Sequence, residues 1–130
     1  MNRQPKPLLI LVAGPYRSGT GDDPKKIEAN LRAMVEASLA VYRKGQLPVT
    51  GEALALPLIE LAGSKTIGDA IFNEIFHPFA HRLLGRIDGV LRIGGASQGA
   101  DDMVREGEAK GLVIYRHLEE IPDLTTATRG

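Results

Sequence analysis

Apolar residues fall into two patterns along this 130-residue chain, continuous runs and helically spaced repeats. Leu8 to Ala13 is an unbroken apolar run of strand length, entered from Pro5 and Pro7 and left through Gly14-Pro15. A run of that kind suits a strand buried on both faces. Asp23-Pro24 then reads as an N-cap followed by proline at the first helical position, and Ile27, Leu31, Met34, Ser38 and Val41 recur at helical spacing up to Gly45. Leu47 to Thr50 supplies a short second strand, which completes a βαβ unit with a right-handed parallel crossover.

The middle, Gly51 to Arg86, is less regular. Ala53 to Ala62 is apolar but interrupted by Pro57, and Gly63-Ser64 breaks it before a helical stretch from about Thr66 to Leu84, which Pro78 is expected to kink or divide. Asp88 to Ile93 reads as a third strand, Gly94 to Gly99 as a loop, Ala100 to Lys110 as a helix closed by Gly111, and Leu112 to Tyr115 as a fourth strand. The alternation predicts an α/β protein, an open parallel sheet of four to five strands with helices on both faces. After Pro122 the tail has little to bury and is expected to fray.

A chain of 14.0 kDa makes one domain over residues 1–130 and hardly two. Its 16 basic and 16 acidic residues cancel, so it lacks the field that draws a protein to nucleic acid or to an anionic membrane. With no cysteine there is no disulfide, no thiolate nucleophile and no cysteine zinc site. The Leu8 to Ala13 run is too short to span a bilayer, and no small-residue cleavage pattern follows it, so a soluble cytoplasmic protein is expected.

In open parallel sheets ligands bind beyond the carboxyl ends of the strands, where the strand order reverses. The loop after the first strand, Gly14 to Asp23, offers Tyr16 and Arg17 as ligand contacts. In the loop after the third strand, Gly94 to Ala100, small residues let the backbone approach a guest while Ser97 and helix N–H groups point at it, a geometry suited to phosphate. Ser97 serves equally as a plain helix cap. Asp101 and Asp102 sit in the first helical turn, where carboxylates complement the helix dipole. Arg92 ranks below Arg17 as a source of positive charge, being as easily paired with a surface carboxylate. His77 and His81 share a helical spacing but lack the acidic residue of a zincin motif, and His117 has no evident partner, so neither a metal nor a cofactor is expected. Walker, dinucleotide and Gly-x-Ser-x-Gly motifs are absent.

Leu11-Val12-Ala13-Gly14-Pro15-Tyr16-Arg17, Asn30 in the first helix, Asp88-Gly89-Val90-Leu91 leading into Ser97-Gln98-Gly99-Ala100, and Lys110-Gly111 together resemble the nucleoside 2-deoxyribosyltransferase superfamily over most of Leu8 to Tyr115. The resemblance implies a flavodoxin-like, Rossmann-like sheet and an oligomeric enzyme that cleaves or transfers the N-glycosidic bond of deoxynucleosides or their monophosphates. It also implies a glutamate nucleophile six residues after Ser97, where this chain has Met103, and an acidic residue in a region that here reads His77-Pro78-Phe79-Ala80-His81. The groups that would hold a sugar or phosphate, Gly14, Tyr16, Arg17, Ser97 and Gly99, are present.

Two readings follow. In one, Asp101 or Asp102 is recruited as nucleophile or general base on a preserved scaffold. In the other, the chain is a nucleotide- or sugar-phosphate-binding module without glycosidic chemistry, because a thioether cannot replace a carboxylate nucleophile. The apolar stretch Leu54 to Leu61, charged only at Glu60, further predicts a homo-oligomer, in which Glu52, Glu60 or Glu74 of a neighbouring chain could supply the missing carboxylate.

Overall fold

A computed structural model describes residues 6–127. In chain order the elements are β1 (Leu9–Ala13), α1 (Pro24–Arg43), β2 (Leu47–Val49), α2 (Gly51–Leu61), α3 (Ala70–Leu84), β3 (Gly89–Arg92), α4 (Gln98–Ala109), β4 (Val113–Tyr115), a 3-10 turn (Leu118–Glu120) and a short α5 (Leu124–Ala127). The four strands form one open parallel sheet in the order β2-β1-β3-β4, with Leu11 of β1 facing Val49 on one side and Val90 on the other. The chain leaves β1 toward β2 and then crosses back to β3, so the strand order reverses at the β1/β3 seam.

Strand alternation sends β1 into two cores. Ile10 and Val12 meet Met34 and Val41 of α1, with Leu91, Tyr115 and Ile121. Leu11 and Ala13 meet Leu84, Ile87, Val90, Ala100 and Val104 on the other face, beneath α3 and α4. These four of the five β1 side chains are buried, which is why their sequence reads as an uninterrupted apolar run. A third cluster, Ala55, Ile59 and Phe72, packs α2 onto α3.

The irregular middle contains two complete helices. Thr50 caps α2 by accepting from the Ala53 N–H at 3.1 Å, which takes Thr50 out of the second strand. Pro57 lies inside α2 and Pro78 inside α3, yet neither divides its helix. Each proline deprives the carbonyl four residues earlier, on Ala53 and Glu74, of its partner; all four residues are exposed, on the side of the helix where solvent can stand in for the lost partner. The helical stretch expected from Thr66 starts only at Ala70, because the Asp69 side chain gathers the N–H groups of Lys65, Thr66 and Phe72 into a cap. Pro48, within β2, is tolerated because β2 is an edge strand.

The first residues after the last strand are tied to the body of the fold. Ile121 is buried, and the Leu124 N–H donates to the Lys44 carbonyl at 2.7 Å. Gln46, also buried, accepts from the Leu8 N–H through Oε1 and donates through Nε2 to the Pro122 carbonyl, both at 2.7 Å. The two partners of Gln46 lie 38 and 76 positions away from it, beyond the reach of local pattern. The end of the expected tail, residues 128–130, lies outside the described residues. Among the described residues no helix is long and apolar enough to cross a membrane.

Candidate functional site

The loops after β1 and β3 lock together through two glycines. A Cβ on buried Gly14 would stand 2.8 Å from Cγ1 of Ile93 and 3.2 Å from its carbonyl oxygen. A Cβ on Gly94, whose φ is 77°, would stand 2.7 Å from Cδ of Pro15. Gly14 therefore acts first as a packing residue, one that lets the two strand exits touch at the seam.

Beyond the seam a hollow of about 190 Å³ opens. Ala13, Phe76, Ala80, Leu83 and Met103 form its apolar wall, and Tyr16, Arg17, Ser97, Gly99 and Asp102 line it as well. Residues from the two loops that the sequence singled out thus share one cavity. It is smaller than the roughly 300–1,000 Å³ of sites for drug-sized ligands, so it suits a guest of sugar-ring or base size whose remainder leaves through the mouth.

Each polar group has a definite support. Asn30 Nδ2 donates to the Tyr16 carbonyl at 2.9 Å, which fixes the aromatic residue at the rim. Burial raises the Tyr16 phenol pKa and the Glu52 charge adds to it, so the phenol stays protonated and available as a donor. Ser97 is buried and caps α4 by accepting from the Ala100 N–H at 3.2 Å, leaving its own proton to donate. This cap starts α4 at Gln98, two residues before the predicted start, and the N–H groups of Gln98 and Gly99 stand in the first turn without an intrahelical acceptor.

The two aspartates separate. Asp101 is bound by Arg92, whose Nε donates to its Oδ1 at 3.1 Å and whose Nη2 donates to the Gly95 carbonyl at 2.9 Å. Arg92, with its side chain only 9% exposed, therefore ties the Gly94-Gly95 turn to α4, and Asp101 does not line the hollow. Asp102 does line it, while also pairing with Arg105 on its own helix. Met103 lines it too and rests on the core beneath α4. Arg17 lines the hollow with its guanidinium engaged by Asp22, Nε to Oδ1 at 2.6 Å.

The two histidines of α3 divide in the same way. His77 lines the hollow, whereas His81 Nδ1 lies 2.5 Å from Oε1 of Glu106 and joins α3 to α4. His117 is exposed at the cap of the 3-10 turn. Among the described residues, no group of three His, Cys, Asp or Glu side chains could hold a metal ion.

Glu52 is expected from the sequence as one of three carboxylates, with Glu60 and Glu74, that a neighbouring chain could supply. Its own chain delivers it: Glu52 sits in the first turn of α2 directly after β2, and β2 adjoins β1, so its side chain reaches the same hollow. It is 9% exposed, with no Lys, Arg or His within ion-pair distance among the described residues. Burial raises its pKa, opposed only by its own backbone N–H. The sequence signal is a carboxylate in the first turn of a helix that follows a strand, hidden because Pro57 obscures the helix. No protein-family model matches the chain, and no curated protein matches it.

Proposed function

We propose that the hollow at the β1/β3 seam binds a nucleoside or nucleotide and that the protein cleaves or transfers its N-glycosidic bond. The observation that carries this reading is a buried, unpaired carboxyl, Glu52, sharing a small cavity with Tyr16, Ser97 and a second carboxylate, Asp102. It is joined by the resemblance to nucleoside 2-deoxyribosyltransferases along the loops that line that cavity.

Glu52 enters from the β2 side of β1 and Asp102 from the β3 side, so a sugar bound between them is flanked by two carboxyl groups. The raised pKa of Glu52 suits a general acid: it gives its proton to the departing base as the glycosidic C–N bond breaks. Asp102 takes the proton of the water, or of the ring N–H of an acceptor base, that forms the new bond to the anomeric carbon. This direct displacement needs no covalent nucleophile at Met103. Asp101, held by Arg92, drops out of the assignment.

Met103 favours a second reading, a module that binds the same class of ligand without turnover. Incubation with deoxynucleosides and their 5′-monophosphates, followed by chromatography for free base, separates the two. Release that is lost in Glu52→Gln and Asp102→Asn supports the enzyme. A thermal shift without release leaves the binding module, and neither response rejects both.

Self-association belongs to the same proposal. Val35, Leu39 and Tyr42 form an exposed apolar stripe on α1, and Leu54, Leu58 and Leu61 form one at the same spacing on α2, with Leu61 87% exposed. Two such stripes on a 130-residue chain suit burial against a second copy.

A further inference from the structure

Arg17 is the only Lys or Arg among the described residues that line the hollow, against the carboxylates of Glu52 and Asp102. A free guanidinium there would draw a phosphate, but this one is engaged by a carboxylate. Nε donates to Oδ1 of Asp22 at 2.6 Å and Nη2 to Oδ2 at 3.1 Å, a bidentate pair. On the far side the guanidinium packs close to Gly68, where a Cβ would overlap Nη1.

The loop is wound to make this pair. Gly19, Gly21 and Asp22 all have positive φ, at 74°, 58° and 62°, and a left-handed aspartate is an uncommon conformation that its surroundings must hold. Thr20 holds it: the side chain is buried, its hydroxyl donates to the Arg17 carbonyl at 2.5 Å, and the Asp22 N–H donates back to that hydroxyl at 3.2 Å. The turn therefore returns Asp22 onto the guanidinium five residues earlier.

From this we infer that Asp22 is a specificity residue, which neutralises Arg17 and so biases the site toward an uncharged nucleoside and against its 5′-monophosphate. The inference rests on the nucleoside reading above and names the substrate class within it. An incoming phosphate must displace a carboxylate that already occupies the guanidinium fork, whereas a neutral sugar meets no such competitor.

The test compares the whole protein with Asp22→Asn and with Asp22→Gly, which removes the charge where glycine accepts the left-handed φ. Binding of a 2′-deoxynucleoside, its 5′-monophosphate and inorganic phosphate is measured at low ionic strength. The wild type is expected to bind the nucleoside at least as tightly as the monophosphate. Both variants should gain roughly fivefold for the monophosphate, the factor equivalent to the upper end of an exposed ion pair, and change less than about twofold for the nucleoside. A wild type that prefers the monophosphate tenfold, or variants that leave the ratio unmoved, overturns the proposal. If no nucleoside or monophosphate binds, the nucleoside reading fails and the phosphate arm decides the role of Asp22 by itself: protection by phosphate gained in the variants upholds its block on Arg17, and no gain overturns it.

Discussion

Replacing Glu52 by glutamine should make the protein more stable at neutral pH while removing the proposed general acid. The carboxylate is nine-tenths buried with no ion-pair partner among the described residues, and its pKa is raised by burial. Because the folded-state pKa lies above the unfolded one, the native state keeps a proton that the unfolded chain has lost. Stability therefore falls as pH rises through that window. Each unit of such a difference is worth about 1.36 kcal/mol, and the dipole of α2 at its N-terminus returns roughly 0.3–1 kcal/mol to the charged form. Glutamine keeps the volume and an oxygen that can accept the backbone N–H, and loses only the charge. A net gain of about 1 kcal/mol is expected at pH 7, or near 4 °C in Tm for a domain of this size. Denaturant titrations of both proteins at intervals from pH 4 to pH 8 should show this gain appearing as pH rises above the ordinary glutamate range and then levelling. Free-base release, if present in the wild type, should drop on the order of 10²- to 10⁴-fold. A variant less stable than wild type at pH 7, or a stability difference that does not vary with pH, would refute the argument that this carboxyl is held against its own solvation.

Gln46→Ala should cost about 2 kcal/mol, because it strips partners from the Leu8 N–H and the Pro122 carbonyl; urea titration showing a loss below about 0.5 kcal/mol would contradict the clasp. Asp69, held well below the usual carboxylate range mainly by the Phe72 N–H, stabilises the fold above that range and loses its effect as pH falls, so Asp69→Asn should lower Tm at pH 7 and flatten its acid dependence between pH 5 and pH 2. For the exposed stripes, sedimentation at micromolar concentration should show a species larger than the 14.0 kDa chain, and Leu58→Glu with Leu39→Glu should shift it toward monomer. A clean monomer in the wild type would remove the oligomer proposal.

Much of the architecture was legible because β1, α1, β3 and α4 each carry a local signal. An apolar run buried on both faces, an Asp-Pro start and a Ser97 cap are consequences of single elements, readable within a few residues. The middle resisted for the opposite reason: Pro57 and Pro78 break the pattern used to recognise helices, while exposure of the orphaned carbonyls lets the helices continue. That Tyr16, Arg17, Ser97 and Gly99 would line one rim follows from strand order, which sends their loops to the same end of the sheet. The restraint of Asp101 by Arg92, the engagement of Arg17 by Asp22, and the arrival of Glu52 from β2 depend on side-chain partners and sheet order together. The clasp of Gln46 on the tail is further still from any periodicity, since it joins both edges of the sequence through one amide.

The interlock of Gly14 against Ile93 and of Gly94 against Pro15 makes the two strand exits a single saddle. Neither half can widen or shift without pushing on the other, so the rim of the hollow has little freedom there. Change in the shape of the hollow falls instead to the residues that α2 and α3 present to it, such as Glu52 and His77, which lie away from the saddle.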